Sequence, residues 1–417
     1  MSSDPGTASG VRLIPQLPRA AVIVLVGDAV SALGQGMSLP FLLIYLSEVR
    51  GISLSVAGLV LSTVALASFV GNPLGGWLSD PLGPRVTLLA GQLCAAAGTA
   101  TFAWADTAAV AFVAAALLGL GNAIGWPALD ALLAVIVDTR QRSTAFAVRN
   151  ATFNAGLALG AVLAGLIVDV SNVRTFQLVY LLDAATFLLF IPLLLLISAP
   201  RAQAPADDEA APSYRTVLKD RLLLSVVGLS ALLVTVGYGQ YHAAFPGWAT
   251  RDEGIPPSAL GVCFAANAAT VVLMQLPMLR ALAGRRRTTA VSLACVLWAL
   301  TWTLALIFGY AGSGWLAIGG FIATMVMFGL AETALTPTVP AIVNDLAPEH
   351  LRGRYNGVSA LGFTTGFFLA PAIAGFFLDA RAGNTLLVIF VIACLLAAGW
   401  ARLLGRRLPE SANQISG

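Results

Sequence analysis

The number and length of the apolar stretches constrain this chain more than any other feature. A hydrocarbon layer about 30 Å thick needs about 20 helical residues per crossing. Stretches of that length fall near residues 20–46, 55–79, 86–105, 108–137, 144–169 and 176–198, then near 222–249, 258–282, 288–310, 314–343, 356–380 and 384–405, parted by turns and charges. Inside hydrocarbon the backbone must satisfy its own hydrogen bonds, as an α-helix does. The alternating short segments of a membrane barrel are absent from the sequence. The chain is therefore read as an all-α integral membrane protein of twelve transmembrane helices.

The only long polar segment lies between the sixth and seventh stretches and carries Pro205, Asp207, Asp208, Glu209, Pro212 and Lys219. It reads as a solvated linker. The expected organisation is a cytoplasmic tail over residues 1–19, a six-helix bundle over 20–199, a linker over 200–221, a second six-helix bundle over 222–405 and a cytoplasmic tail over 406–417. The first 19 residues contain Arg12, Arg19 and three prolines but no apolar core, so they do not resemble a cleavable signal peptide.

Short cytoplasmic loops are enriched in Lys and Arg. With the N-terminus inside, nineteen of the 23 basic residues, Arg149 counted among them, fall on the cytoplasmic side, and only Arg50, Arg174, Arg251 and Arg381 fall outside. Both termini are expected in the cytoplasm. The abundance of Arg over Lys and of Ala suits a GC-rich bacterial genome, which makes the cytoplasmic (inner) membrane of a bacterium the expected location.

The two halves repeat. A shift of 210 residues superimposes Pro127 on Pro337, Arg142 on Arg352, Phe153 on Phe363, Gly156 on Gly366, Gly165 on Gly375 and Asp169 on Asp379. Spans 4 and 5 thus return as spans 10 and 11, an internal duplication. Transporters built from two parallel six-helix repeats bind their cargo near the midplane between the halves.

Several function classes are excluded. The net charge of +3 is not gathered into a basic face, so nucleic acid is not a partner. Cys94, Cys263, Cys295 and Cys394 each stand alone in apolar surroundings, which suggests neither a metal site nor a disulfide framework. No Walker loop and no nucleophile with a matched base are present, so neither an ATP-driven pump nor an enzyme is expected, and no cofactor is implied.

Between spans 2 and 3, Gly76-Trp77-Leu78-Ser79-Asp80-Pro81-Leu82-Gly83-Pro84-Arg85 resembles the signature loop of the major facilitator superfamily, Gly-x-Leu-x-Asp-(Arg)-x-Gly-(Arg)-Arg. Gly76 suits close helix approach, Gly83 a tight turn, Asp80 a helix N-terminus and Arg85 the cytoplasmic surface. The resemblance implies the major facilitator fold, two six-helix bundles about a pseudo-two-fold axis, and a role for Gly76, Asp80, Gly83 and Arg85 as a conformational latch. Pro81 and Pro84 replace basic residues usual in the family.

On span 5, Gly156-x3-Gly160-Ala161-x2-Ala164-Gly165 resembles the antiporter motif of drug exporters, and span 11 carries the related Gly366-x3-Ala370-Pro371-x2-Ala374-Gly375. Residues this small also serve close packing in any membrane bundle. The family's exporters usually carry an Arg four residues before the position of Gly119. Ala115 stands there, so coupling through that Arg is not implied.

An ionisable group in hydrocarbon costs roughly 2.5 to 3.5 kcal/mol on insertion scales and marks a pathway by default. Asp28 lies about eight residues into span 1, roughly 12 Å from its cytoplasmic end. Glu332 is near the middle of span 10, where the 210 shift places Asn122 of the first half. Asp130 sits nearer the cytoplasmic end of span 4, and Asp183 is read as a structural carboxylate toward the outer end of span 6. Gln35, Asn122, Tyr238, Gln240 and Tyr241 join Asp28, Glu332 and Asp130 as candidates for binding substrate or protons; lone His242 is read as an ordinary helix-end histidine.

The expected function is proton-coupled export of drugs or a natural product by alternating access, with a small-molecule substrate, protons and the lipid bilayer as partners and a monomer as the working unit. The alternative is a specific metabolite importer, symporter or facilitator of the same superfamily.

Overall fold

The computed structural model describes residues 17–138, 141–197, 214–310, 314–348 and 351–415. The expected N-terminal tail up to residue 16 and the linker from 200 to 213 lie outside the described residues. The helices begin and end within a few residues of the predicted stretches. In the first half, span 1 is Arg19–Val49, span 2 Leu54–Leu82, span 3 Pro84–Phe102, span 4 Ala108–Ile136, span 5 Arg142–Ile167 and span 6 Val173–Leu195. In the second, span 7 is Arg221–Arg251, span 8 Pro257–Leu282, span 9 Arg287–Gly309, span 10 Trp315–Leu346, span 11 Arg352–Asp379 and span 12 Gly383–Gly405.

Eleven of these are long and apolar enough to cross a membrane by themselves. Span 3 is the exception, because packing governs its composition. Gly91 lies against the backbone of Gly121 and Gly125, and Gly98 against Ala114 and Leu118 of span 4. Small side chains let the two helices touch, and dispersion then replaces the missing apolar bulk.

The duplication is visible in the packing. Within the first bundle spans 1·5, 1·6, 2·4, 3·4 and 3·6 pair, and within the second the same pairs return as 7·11, 7·12, 8·10, 9·10 and 9·12. The bundles meet through two symmetric crossings, span 2 on span 11 and span 5 on span 8. At the first, Gly58 faces the backbone of Pro371 and Gly375; at the second, Gly165 faces Gly261. Ser55 Oγ donates to Asp379 Oδ2 across the first crossing at 2.8 Å. These contacts all lie at one end of the molecule. Toward the other end, Asn72 and Asn150, on the helix faces that carry Gly58 and Gly165, are exposed, so the two crossings do not cover them there.

Spans 1 and 7 are both broken. Span 1 bends at Ser38 and Pro40 and closes with a π turn over Tyr45–Val49, and span 7 breaks at Gly237 before resuming at Ala244. A break in hydrocarbon is tolerated only where side chains take up the freed backbone groups. Gln240 Nε2 donates to Thr235 O at 2.6 Å and to Ala370 O at 3.2 Å, and Trp302 Nε1 donates to Val236 O at 2.9 Å. At the break in span 1, Ser38 Oγ donates to Asp183 of span 6. Asp183 is fully buried, ten residues along a helix that begins at Val173, so it sits deeper than its predicted place near the outer end.

Candidate functional site

In the first bundle the structure changes the reading of one residue decisively. Arg149, counted from sequence among the cytoplasmic loop charges, lies inside span 5 with only 12% of its side chain exposed. Its Nε donates to Asp28 Oδ2 at 3.1 Å, and its Nη1 pairs with Asp130 Oδ1. Three helices thus converge on a carboxylate–guanidinium–carboxylate chain. The Asp28 side chain is 9% exposed and that of Asp130 49%, so the chain runs from a shielded end to an open one. The Trp126 ring lies 5.6 Å from Arg149 Cζ, at cation–π distance, and is itself met edge-on by Phe153 at 5.3 Å.

Beyond Asp28, toward the core of the bundle, Ser31, Gln35, Gln92, Asn122 and Trp126 line a narrow cavity that also reaches Asp28. Ser31 Oγ and Gln92 Oε1 are buried and have no hydrogen-bond partner among the described residues. Of the sequence candidates, Asp28, Gln35 and Asn122 therefore share one polar cavity, and Asp130 joins them through Arg149.

The second bundle holds a different arrangement. Glu332 Oε2 accepts a hydrogen bond from Asn267 Nδ2 of span 8 at 2.9 Å. The ion pairs among the described residues do not include it. The Tyr238 hydroxyl meets Thr336 Oγ1 at 2.6 Å, one turn along span 10 from Glu332, and Tyr241 packs on Phe328, one turn before it, at 5.7 Å. Aromatic walls surround them: Trp298 stands edge-on to Tyr238 at 5.1 Å, and Phe264 lies 4.6 Å from Tyr241. His242 stacks edge-on with Tyr241, and its Nδ1 has no hydrogen-bond partner among the described residues. Gln240 parts company with these neighbours, because it is fully buried and its amide is committed to the helix break.

The signature loop divides as well. Gly83 adopts φ 83° and ψ 156°, a conformation that requires glycine, and Pro84 opens span 3. Arg85 Nη2 donates to Leu195 O at the C-terminal end of span 6, at 2.9 Å, so it ties helices of its own bundle together. Gly76 and Asp80 lie on span 2, and the surroundings of both are outside what the structure describes. The small residues of span 5 also take separate parts. Gly156 and Gly160 admit the backbone of span 1 within the bundle, whereas Gly165 reaches span 8 across the seam; on span 11 its counterpart Gly375, with the carbonyl of Pro371, meets span 2 in the same way.

Comparison with known proteins decides the family. The family model for the Major Facilitator Superfamily matches residues 24–246 and 227–417, in two halves like the packing. The chain belongs to the major facilitator superfamily. Among bacterial members of this superfamily, the MFS-type transporter YqjV of Bacillus subtilis is 28% identical over 381 residues, covering 88% of each chain. The Na(+), Li(+), K(+)/H(+) antiporter of Planococcus maritimus is 24% identical, covering 85% of this chain and 88% of its own. The quinolone resistance protein NorA of Staphylococcus aureus is 22% identical, covering 83% and 87%. In fold, the crystal structure of the nucleoside transporter NupG (D323A mutant) superimposes with a TM-score of 0.78 at 13% identity, over 93% of this chain and all of that one. The protein is thus a multi-pass membrane transporter of major facilitator architecture.

Proposed function

We propose that this transporter exports a drug-like or natural-product substrate in exchange for protons, by rocking its two bundles about the cleft between them. The observation that carries the reading is the contrast between the two carboxylate sites. Asp28 and Asp130 share the one guanidinium of Arg149, whereas Glu332 is held only by the neutral Asn267 amide. An uncompensated carboxylate in a low-dielectric site needs a positive partner. Here that partner arrives from the cleft, as a proton or as a cationic group of the substrate, and competition between the two is the elementary step of antiport. The likeness to a cation/H(+) antiporter and to a quinolone resistance protein supports this reading over import.

We propose further that the open end of the cleft is cytoplasmic and that the seam formed by Gly58, Gly165, Gly261 and Gly375 closes the outer end. The basic residues support this orientation. With Arg149 withdrawn into the membrane they still gather overwhelmingly at the open end, as short cytoplasmic loops require.

Purified protein in proteoliposomes tests the function directly. Lipophilic cations and neutral antibiotics are added in turn while internal pH is followed, in the native protein and in Asp28→Asn and Glu332→Gln. Substrate-dependent proton movement that disappears in Glu332→Gln is the expected result. Substrate transport at full rate with no proton movement in either direction would refute coupled exchange and leave a facilitator.

A further inference from the structure

A groove on the outer wall of the second bundle, where spans 7 and 12 meet, is separate from the cleft. Arg221, Leu222 and Ser225 of span 7 face Trp400 and Leu403 of span 12 and Arg407 of the turn that follows it. Positions 221 and 225 are one helical turn apart, as are 400 and 403, so each pair occupies a single helix face. The indole is fixed in place. Trp400 Nε1 donates to Ser225 Oγ at 2.9 Å, and the ring lies over Gly228, where a Cβ would come within 3.1 Å of Cη2.

The groove is apolar along its length and basic at its mouth. Leu403 is 58% exposed, and Ile392, Leu395 and Leu396 continue an exposed apolar face along span 12 toward the midplane. In a membrane-spanning helix such a face meets acyl chains. At the mouth, Arg221 and Arg407 are exposed and make no ion pair among the described residues. The neighbouring carboxylate, Asp220, is otherwise engaged: it caps span 7 through the amides of Leu222 and Leu223 and accepts the Tyr355 hydroxyl at 2.7 Å. Exposed Arg402 and Arg406 add to the positive field.

We propose that this groove binds one anionic phospholipid from the adjoining leaflet, its phosphate held by Arg221 and Arg407 and an acyl chain lying along Leu222 and Leu403 against Trp400. Guanidinium groups match phosphate oxygens in planar geometry, and a tryptophan at the headgroup level is amphipathic in the sense this position needs. Any basic loop attracts an anionic surface. The groove adds a fixed ring and an apolar wall, which select a whole lipid and hold it in register.

The test is quenching of tryptophan fluorescence by acyl-brominated lipid in reconstituted full-length protein. Trp400→Phe isolates the Trp400 signal from that of the other tryptophans, since the chain has 8. Brominated phosphatidylglycerol diluted into phosphatidylcholine is expected to quench the Trp400 component at a mole fraction roughly thirtyfold lower than brominated phosphatidylcholine does, the scale set by two surface arginines. Arg221→Gln combined with Arg407→Gln is expected to abolish that preference while the remaining tryptophans and the melting temperature in lipid-free detergent stay unchanged. Equal quenching by the two lipids, or a preference that survives the double variant, overturns the proposal and leaves ordinary annular lipid.

Discussion

Arg149 Nε lies 3.1 Å from Asp28 Oδ2, and the same guanidinium reaches Asp130, so spans 1, 4 and 5 are bound by one buried cation. Removing one member of such a pair strands the other charge in low dielectric, at a cost of about 3–5 kcal/mol. Arg149→Met should therefore unfold in detergent at markedly lower denaturant than the native protein. Asp28→Asn added to Arg149→Met removes the stranded charge and should restore most of the loss. A double variant as unstable as Arg149→Met alone would show that the pair does not hold these helices.

Glu332 makes the opposite prediction. Glutamine keeps an oxygen for the Asn267 amide and keeps the shape of the side chain, so Glu332→Gln should change stability by less than about 1 kcal/mol. Its effect should fall on coupling, with substrate-driven proton flux in proteoliposomes dropping to the level of empty vesicles. The measurement that decides is the ratio of proton flux to substrate flux, because a merely structural glutamate would lower both together.

The difference between these two carboxylates was not legible in the sequence, although the spans were. Hydrocarbon thickness forces apolar length, and length can be counted; even span 3, less apolar than the rest, stood out by its turns. Arg149 sits near the start of an apolar stretch and looks like any loop charge. Whether such a residue turns outward or inward depends on the rotation of span 5 against spans 1 and 4, which no local pattern encodes. One signal was available: Asp28 and Asp130 each needed a counter-charge at membrane depth, and Arg149 was the nearest candidate lying inside a span. Gln240 failed for a related reason. The sequence offers Gln240 beside Tyr238 and Tyr241 as a candidate for binding substrate or protons, but the break at Gly237 turns the glutamine away from these neighbours and into the helix junction.

The glycine seam predicts a shift in conformation. A Cβ on Gly58 would run into the carbonyl oxygen of Pro371, and one on Gly375 into that of Leu54. Overpacking of this kind costs roughly 1–3 kcal/mol, and since about 1.4 kcal/mol is a tenfold change in an equilibrium, Gly58→Ala should populate the state in which this end is open. Ser55→Cys, placed beside the seam, should then react faster with a membrane-impermeant thiol reagent in the Gly58→Ala background than in the native one. Unchanged labelling would mean that contacts elsewhere keep the seam shut.

Gln240 separates stability from recognition. Its amide serves Thr235 O and Ala370 O, and Ala370 belongs to span 11, so one side chain both repairs the break in span 7 and joins the two helices. Gln240→Leu fills a similar volume but leaves those two buried carbonyls without the amide, a loss of about 1–3 kcal/mol. Substrate affinity should be unchanged in the fraction that remains folded, while Tyr241→Ala, which removes a ring packed on Phe328 one turn from Glu332, should weaken it. Titration of substrate binding in detergent, set beside thermal unfolding of the same samples, distinguishes the two roles. A Gln240→Leu protein of native stability and reduced affinity would return this residue to the wall of the cleft and require the break in span 7 to be held by Trp302 alone.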